Sequence, residues 1–428
     1  MTFLWTSFRK NNTIVHVEFV SRTKGRMMSE FERILDLNLL PGQSAFLWGP
    51  RQTGKSTFLK SKYPNSAVFD LLNRALAQNL AQFPERFREM IDSLSEAQKA
   101  LPIIIDEIQK VPGILDDIHW LIENKNLSFI MTGSSARKVI RGQANLLGGR
   151  AWKYRMFGLC FAEIPELNLI KAFQNGLLPR HYNSGSAKKF LNAYLTDYIA
   201  EEIQGEALVR NVPAFSKFLR ALSSTHGGLT NYSSIASDCG VDSKTVKEYY
   251  QILVDTLIGF ELMPYSTSKN RSTIQKSSKF YLFDVGLANH LAGRMVTDLN
   301  GTAAGESFEH FIFLELLAAN AYLEKEWEIN FWRTKLGHEV DFVLTIPHKS
   351  APLGIECKIS TQIAKADCKG LVHFMSQNEN AKAIVVCLEE FQRRITLETS
   401  TGSFQIDVIP WKIFLKLLWT HKIEEFSI

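Results

Sequence analysis

Short apolar runs alternate with helix-like segments over the first third of the chain. The apolar runs at residues 45–48, 67–69, 102–105 and 128–132 are typical of buried strands. Between them the periodicity predicts helices at 56–62, 71–94 and 114–122, and a short helix begins at Ser29 and ends before Pro41. Such alternation predicts right-handed crossovers and a parallel sheet buried on both faces. Residues 28–165 are therefore predicted to form a doubly wound α/β domain, which we call the front part.

The pattern changes after residue 165. Asn, Gly, Pro, Arg and Ser become frequent, so we expect an exposed linker at 166–186. Helical periodicity dominates residues 187–265, and residues 266–304 form a connecting segment. Residues 166–304 are the middle part and residues 305–428 the rear part. In the rear part we expect a helix at 306–323, strands at 329–333, 340–345 and 353–358, a helix at 367–375 and a strand at 383–388.

Length and composition agree with several folded domains. At about 100–200 residues per domain, 428 residues predict two to four domains. Apolar residues at 45% and charged residues at 22% exclude disordered, collagen-like and disulfide-rich classes. The net charge of +5 permits a nucleic-acid partner without requiring one. Five scattered cysteines without a CxxC pair indicate a reducing cytoplasm, and no apolar run reaches the roughly 18 residues of a membrane span.

The first 27 residues are basic. They carry five Lys or Arg residues and a single acid, Glu18, but lack the apolar core and cleavage site of a secretory signal. Met27 and Met28 stand immediately before the part that begins to look folded. We therefore expect residues 1–27 to be a basic tail that is disordered or a start-site artefact, and a functional arm is the alternative.

One glycine-rich segment predicts a phosphate-binding loop. It fits G-x-x-x-x-G-K-[ST] and lies between an apolar strand and a helix, as this mechanism requires. Its glycines let backbone N–H groups surround a phosphate at a helix N-terminus, Lys55 reaches the terminal phosphates, and the Ser56 hydroxyl binds Mg²⁺. We therefore predict ATP and Mg²⁺ as cofactors. The predicted nucleotide-binding residues here are Gly49, Pro50, Arg51, Gln52, Thr53, Gly54, Lys55, Ser56 and Thr57.

Two carboxylates follow the apolar run at 102–105. An acid at the carboxyl end of a strand beside the phosphate loop is placed to complete the Mg²⁺ site, which indicates Asp106. Glu107 is then the candidate general base for the attacking water. Without the phosphate loop, two acids after a strand would more simply be the first turn of a helix.

Polar residues also follow the run at 128–132. Thr132 and Ser134 are candidates to sense the terminal phosphate or the attacking water, and capping of the next helix is an equal alternative. Arg150, after a Gly-Gly turn, is the candidate arginine that stabilises transition-state charge. Arg137 and Arg141 are rivals, and any of the three could be a solvated surface charge. Action of Arg150 in trans would require a homo-oligomer.

These motifs together resemble a known family. The segments Gly49 to Ser56, Asp106 to Gln109, Thr132 to Ser135 and Gly148 to Arg150 are similar to those of prokaryotic AAA-type ATPases with a conserved C-terminal domain of uncharacterised role. The resemblance covers residues 28 to about 400. It implies a P-loop NTPase domain, a helical region of winged-helix character and a C-terminal domain similar to the PD-(D/E)xK nucleases, which have a restriction-endonuclease-like fold.

Residues 231–254 read as helix, tight turn and helix. This helix-turn-helix pattern would present Lys244 and Lys247 near the start of its second helix, suitable for a nucleic-acid groove. Val246, Tyr250, Leu253 and Leu257 would pack inward. Packing of this unit against another domain is the alternative to DNA contact.

The rear part contains charged residues inside apolar strands. Its expected order, αβββαβ, is the order of the PD-(D/E)xK core, and Asp341 with Glu356 and Lys358 matches the nuclease motif. Glu356 and Lys358 share one face of a strand. Asp341 and Glu356 would hold Mg²⁺ or Mn²⁺, Lys358 would position the nucleophile, and Glu309 is the additional acid. Arg333 could contact a phosphate.

Two functions are consistent with these motifs. The first is an ATPase that couples hydrolysis to a nuclease-like domain acting on or binding DNA or RNA. The alternative is an ATP-driven switch or interaction protein whose nuclease-like domain is catalytically inactive, because such a domain can keep its fold and salt bridges after losing cleavage.

Overall fold

The computed structural model describes residues 7–10, 13–16, 31–135, 147–199, 211–267, 274, 276–347, 351–400 and 402–427. In the first 27 residues it shows strands β1 (Ser7–Lys10) and β2 (Thr13–His16), which pair antiparallel. The rest of this segment, on which the expectation of a disordered tail or an arm depends, lies outside the described residues. None of the helices that the structure describes is long and apolar enough to cross a membrane.

The front part is built on a parallel sheet. Its described strands are β3 (Ser44–Trp48), β4 (Val68–Asp70), β5 (Ile103–Asp106), β6 (Phe129–Gly133) and β7 (Ala151–Arg155). They lie in the order β4–β5–β6–β3–β7, and every neighbouring pair is parallel. Every residue of β3, β5 and β6 is buried, which explains why these strands read as continuous apolar runs. The carboxyl ends of β3, β5 and β6 therefore meet at one edge of the sheet.

The helices of the front part depart from the sequence prediction in two places. They are α1 (Lys55–Lys62), α2 (Arg74–Gln82), α3 (Arg86–Asp92), α4 (Glu96–Lys99) and α5 (Leu115–Lys125). The single helix predicted at 71–94 is wrong, because Phe83 precedes Pro84 and leaves the helical conformation, with φ −135°. The helix predicted from Ser29 is wrong over 31–40, where the chain is irregular. The backbone N–H of Ile34 instead donates to Glu163, at 3.0 Å.

The middle part is helical and ends in a small sheet. It contains α6 (Leu169–Asn175), α7 (Pro179–Tyr182), α8 (Ala187–Ala193), α9 (Val212–Thr225), α10 (Tyr232–Cys239), α11 (Ser243–Asp255), β8 (Gly259–Leu262), β9 (Lys279–Leu282) and α12 (Val285–Leu291). β8 and β9 pair antiparallel. The exposed linker predicted at 166–186 is wrong: Phe173 and Leu178 are fully buried, so α6 and α7 belong to the folded core.

The rear part contains every element expected from its sequence. These are α13 (Gly301–Tyr322), β10 (Glu328–Arg333), β11 (Glu339–Thr345), β12 (Leu353–Cys357), α14 (Lys369–Gln377) and β13 (Lys382–Cys387). They are followed by β14 (Arg393–Thr399), β15 (Gly402–Pro410) and α15 (Trp411–Trp419). The described strands lie in the order β10–β11–β12–β13–β15–β14, with β12, β13 and β15 mutually parallel.

One hydrophobic core joins all three parts. It runs from Leu47 of the front sheet through Leu253 of α11 to Phe342 of β11. The long helix α13 is apolar nearly all round, as expected of a helix enclosed by other elements. Its last residue, Tyr322, packs edge-on against Phe157, which follows β7. The C-terminal end of α13 in the rear part therefore packs against the segment that follows β7 of the front sheet.

Candidate functional site

The loop at residues 49–56 has a backbone that depends on glycine. Gly54 caps α1 in the left-handed conformation, with φ 95°. A Cβ on Gly49 would lie 2.5 Å from the carbonyl oxygen of Met156, closer than real atoms approach. The loop therefore closes tightly between β3 and the first turn of α1, and the first N–H groups of a helix have no partner within the helix itself.

Lys55 lies inside this loop. Its side chain is buried, and Nζ donates to the carbonyl oxygens of Gly49 at 2.7 Å and Pro50 at 3.1 Å. The hydroxyl of Thr53 also donates to Pro50 O, at 2.9 Å. The ammonium group of Lys55 is thus held against two backbone carbonyl groups of the loop, beside the helix N-terminus where an anion would bind.

Three side chains meet at the carboxyl ends of the strands. Ser56 Oγ donates to one oxygen of Asp106 at 2.7 Å, and Thr132 Oγ1 donates to the other. The strand β6 carries Thr132 and lies between β5 and β3, and the Thr132 hydroxyl also accepts from the backbone N–H of Glu107 at 3.2 Å. Ser56 and Asp106 supply adjacent hard oxygen donors, which fit a Mg²⁺ ion.

Glu107 is held beside this group in an uncommon conformation. It is buried and has φ 62°, in the left-handed region that costs a non-glycine residue roughly 1–3 kcal/mol. Its Oε2 accepts a hydrogen bond from Ser134 Oγ at 3.1 Å and another from Gln109 Nε2. Gln109 Nε2 also donates to Ser134 Oγ, at 3.0 Å. Two polar side chains therefore orient the Glu107 carboxylate.

Thr132 and Ser134 both face the two acids. The capping alternative depends on residues 136–146, which lie outside the described residues. Sequence reasoning assigns no role to Gln109, although it lies in the same short motif as Asp106 and Glu107. Its position two residues after Glu107 is the signal that could have identified it.

Arg150 does not reach this site within one chain. Ala151 pairs with Ser44 at the start of β3, whereas the loop follows Trp48, roughly 13 Å away along the strand. The guanidinium of Arg150 instead pairs with Glu123 on α5. The prediction that Arg150 acts on a nucleotide is thus wrong for its own chain, and only a role in trans remains. Arg137 and Arg141 lie outside the described residues.

Arg33 connects the loop to the rear part. Its guanidinium donates to Thr53 O at 2.5 Å, to Phe157 O at 2.9 Å and to the Tyr322 hydroxyl at 3.0 Å. It also forms a buried ion pair with Glu163 at 2.9 Å. Burial alone would lower the pKa of Arg33, but Tyr322 and Glu163 raise it above its ordinary value. Sequence reasoning missed this residue, because it lies in a segment predicted to be helical.

The middle part also contacts the loop. His181 Nε2 lies 2.9 Å from Gln52 Oε1, and Tyr194 Oη donates to Arg51 O at 3.3 Å. Burial and the charge of Arg180 lower the pKa of His181 to about 4, so the ring is neutral at pH 7. The loop is therefore held from both the middle and the rear parts.

In the rear part, three predicted residues lie together. Asp341 on β11 and Glu356 on β12 are buried, and the backbone N–H of Cys357 donates to Asp341 Oδ2 at 2.7 Å. Lys358 Nζ donates to Glu356 Oε1 at 2.7 Å, and Glu356 Oε2 has no hydrogen-bond partner among the described residues. Burial, with the charges of Glu356 and Glu309, raises the pKa of Asp341 well above its usual value. Burial likewise raises the pKa of Glu356.

Glu309 has cationic and hydroxyl partners that the sequence did not reveal. Its Oε1 accepts from Lys279 Nζ at 3.0 Å and from Tyr281 Oη at 2.5 Å. Lys279 also pairs with Glu339 at 2.7 Å, and Arg333 pairs with the same Glu339 at 2.9 Å. Among the residues that the structure describes, no group of three or more His, Cys, Asp or Glu side chains is arranged to hold a metal ion. Because Glu309 is already bonded to Lys279 and Tyr281, the predicted metal ligands Glu309, Asp341 and Glu356 fit a divalent ion poorly in this arrangement.

In the helix-turn-helix segment, side chains predicted to pack inward are buried. Val246, Tyr250 and Leu253 of α11 are buried. Gly240 makes the turn with φ 70°, and Asp242 caps α11 by accepting from the backbone N–H of Thr245 at 2.8 Å. The second helix leaves lysines exposed in its first two turns, Lys244 and Lys247.

Comparison with known proteins identifies the front part. Residues 42–165 match the AAA domain model. The front part is accordingly a P-loop domain of the AAA type, and this match supports ATP binding and hydrolysis, usually with Mg²⁺. Residues 167–298 and 304–414 match two domains of unknown function, DUF8612 and DUF4143. The first of these spans the segment predicted as a linker together with the helices and small sheet that follow it.

Relatives cover most of the chain. An uncharacterized protein of Mycobacterium tuberculosis is 25% identical over 322 residues, which is 73% of this chain and 69% of the relative. An uncharacterized protein of Mycobacterium bovis matches to the same extent. An uncharacterized protein of Haemophilus influenzae is 21% identical over 252 residues, which is 54% of this chain and 61% of that protein.

Proposed function

We propose that this chain hydrolyses ATP at the loop 49–57 and uses the nucleotide state to alter its rear part. The observation that carries the first half is the group at the ends of β3, β5 and β6, where Ser56 Oγ and Thr132 Oγ1 both donate to Asp106. Glu107 lies next to that group on the same edge. No other described cluster combines a phosphate loop with two acids.

Each residue has a distinct role in this proposal. The backbone of residues 49–57 and Lys55 bind the phosphates, while Ser56 and Asp106 hold Mg²⁺. Bound Mg²⁺ supplies positive charge against the phosphate oxygens. Glu107 takes the proton of the attacking water. Thr132 and Ser134 sense the terminal phosphate through their bonds to the two acids.

Phosphate release by the purified chain tests this proposal. Lys55→Ala should abolish ATP binding, measured with a fluorescent ATP analogue. Glu107→Gln should keep binding and lower hydrolysis by about 10²-fold or more. Lys60→Ala is the matched control, because Lys60 is an exposed lysine on the same helix. Undiminished hydrolysis in Glu107→Gln would contradict the assignment.

The coupling to the rear part rests on Arg33. A single guanidinium contacts the loop at Thr53 O and the last residue of α13 at the Tyr322 hydroxyl. A shift of the loop by a bound phosphate must either carry Arg33 with it or break these bonds. This supports the switch, in which ATP changes how the rear part is presented to a partner, over an independent rear enzyme.

We further propose that the helical region predicted at 187–265 has winged-helix character and that the rear part is a nuclease-like fold that does not cleave. Three helices followed by the β8–β9 hairpin support the first, and the αβββαβ order supports the second. The poor fit of Glu309, Asp341 and Glu356 to a divalent ion argues against cleavage. Incubation with DNA or RNA in Mg²⁺ or Mn²⁺, with Asp341→Ala as the control, decides the point, because cutting lost in that variant would restore the nuclease hypothesis.

Nucleic-acid binding without cleavage is a second candidate function, favoured by the exposed lysines of α11. Fluorescence anisotropy with labelled duplex DNA and with RNA measures it. Replacing Lys244 and Lys247 with Ala should weaken binding and reduce its salt dependence. Replacing Lys188 and Lys189, exposed lysines elsewhere in the middle part, is the control. Equal losses in both pairs would mean that α11 is not the contact.

Cytoplasmic placement and self-association complete the proposal. All five cysteines are buried free thiols, as a reducing compartment allows. Arg150 would act only on a neighbouring copy, because it faces away from its own loop.

A further inference from the structure

An acidic cluster in the rear part is compensated by cations from its own chain. Four carboxylates lie close together, those of Glu309, Glu339, Asp341 and Glu356. Among the described residues, three cations pair with three of them: Lys279 with Glu309 and Glu339, Arg333 with Glu339, and Lys358 with Glu356. The charge of Lys279 also acts on Asp341. Lys279 therefore pairs with Glu309 and acts on Asp341, which are two of the acids expected to bind a metal, while Lys358 pairs with Glu356 and also acts on Asp341.

The fold holds Lys279 firmly in this place. It is the first residue of β9, where its backbone pairs with Leu262 of β8 and also bridges to Leu229. Its side chain is only 4% exposed, and Nζ lies 5.5 Å from the centre of the Phe331 ring. A lysine with a mobile tip in solvent would not meet two carboxylates in this way.

The position of Lys279 conflicts with a divalent ion. Mg²⁺ and Mn²⁺ require several oxygen ligands, yet Glu309 Oε1 already accepts from both Lys279 and Tyr281. An ammonium group at this point would repel a second cation. Lys279 and Tyr281 belong to the middle part, whereas the acids belong to the rear part. The middle part thus inserts its own cation into the acidic edge of the rear part.

We propose that Lys279 is the built-in counter-ion of this acidic cluster and takes the place of a divalent metal. The rear part is then complete without a metal ion, and the contact fixes the middle part against it. This inference concerns the rear part alone and goes beyond ATP hydrolysis, on which it does not depend.

Direct Mn²⁺ binding tests the inference. The full-length, untagged chain carries Ser56→Ala and Asp106→Asn, so that the front site cannot bind the ion. Free Mn²⁺ is followed by electron paramagnetic resonance during titration to millimolar concentration. This background protein should bind no Mn²⁺ at the cluster. Adding Lys279→Met should create one site per chain, which Asp341→Asn then removes. Lys276→Met, an exposed lysine three residues earlier, should create none.

Two results would overturn the inference. One is Mn²⁺ binding by the background protein that is lost with Asp341→Asn, since the metal would then bind in the presence of Lys279. The other is absence of binding in both the background and the Lys279→Met proteins, since the cluster would then have no cation position. Should Lys279→Met fail to fold, Lys279→Gln keeps a polar group at the position, and the same two outcomes apply. Thermal melting with and without Mn²⁺ gives a second readout, because only the opened site should be stabilised by the ion.

Discussion

Removing the hydroxyl of Tyr322 should remove the hydrogen bonds that join the last residue of α13 to the front part while leaving the packing of the ring in place. In Tyr322→Phe the ring keeps its edge contact with Phe157 and its contact with Trp419. What is lost is the acceptor of two hydrogen bonds, from Arg33 Nη2 at 3.0 Å and from the backbone N–H of Phe157 at 3.0 Å. Arg33 keeps its bonds to Glu163 and Thr53.

The expected loss of stability is worked from these two bonds. A hydrogen bond from a charged group contributes about 1.5–3 kcal/mol, and a buried donor left without an acceptor costs about 1–3 kcal/mol. Since Arg33 retains other acceptors, we expect a total near the lower end, about 3 kcal/mol in the free energy of unfolding. This would be a large part of the roughly 5–15 kcal/mol that stabilises a typical domain.

Urea unfolding followed by circular dichroism measures the effect. The matched control is Tyr249→Phe, because Tyr249 is a buried tyrosine whose hydroxyl meets no hydrogen-bond partner among the described residues. That control should change the unfolding midpoint little. Nucleotide binding at the loop should survive in Tyr322→Phe, because no loop contact is removed. Equal stability of the Tyr322→Phe and Tyr249→Phe proteins would refute the reasoning.

Three further predictions concern other sites. Gly49→Ala should abolish ATP binding, measured with a fluorescent analogue, because its Cβ would lie 2.5 Å from Met156 O; full binding would contradict the tight loop. Arg150→Ala should leave hydrolysis unchanged in dilute protein and remove any rise in rate per chain with concentration; a slower dilute rate would instead place Arg150 at its own site. Burial raises the pKa of Glu315 to about 8, above its ordinary 4.5, so the folded state holds a proton that the unfolded state loses. The difference in stability between the wild-type protein and Glu315→Gln should then fall by up to about 1.4 kcal/mol per pH unit between pH 5 and 8, as urea midpoints would show, and a difference independent of pH would mean that Glu315 is ionised when buried.

The front site could be predicted because its chemistry is local. The phosphate loop fits a fixed spacing, and its glycines are required by backbone geometry at Gly49 and Gly54. Asp106 and Glu107 follow a strand that is apolar on both faces, so their position at the sheet edge follows from the pattern. Thr132 and Ser134 lie beside these acids because β6 is the neighbour of β5 in the sheet.

Residues that act across the chain could not be predicted in this way. Arg33 lies 289 residues from Tyr322, and its own segment has the composition of a helix. The helices at 169–175 and 179–182 were hidden by glycine, asparagine and proline, although Phe173 and Leu178 are fully buried. In the sequence, Lys279 stands at the start of a short apolar strand, and its neighbours do not indicate that the fold places it beside Glu309.

The rear part shows the limit of motif reasoning most clearly. Asp341, Glu356 and Lys358 are where the strand pattern puts them, and Glu356 and Lys358 share one face as expected. A motif does not reveal which other charges arrive from distant segments. Here Lys279 arrives from the middle part, and its ammonium changes what the same carboxylates can bind.

Hydrogen exchange of the Glu107→Gln protein, with and without ATP and Mg²⁺, tests the coupling most directly. The variant should hold ATP without hydrolysing it, so the two states can be compared at equilibrium. ATP should change exchange both at residues 49–57 and at the end of α13 around Tyr322, and Tyr322→Phe should remove only the second change. A response confined to the front part, with α13 unaffected by ATP, would contradict the proposed coupling.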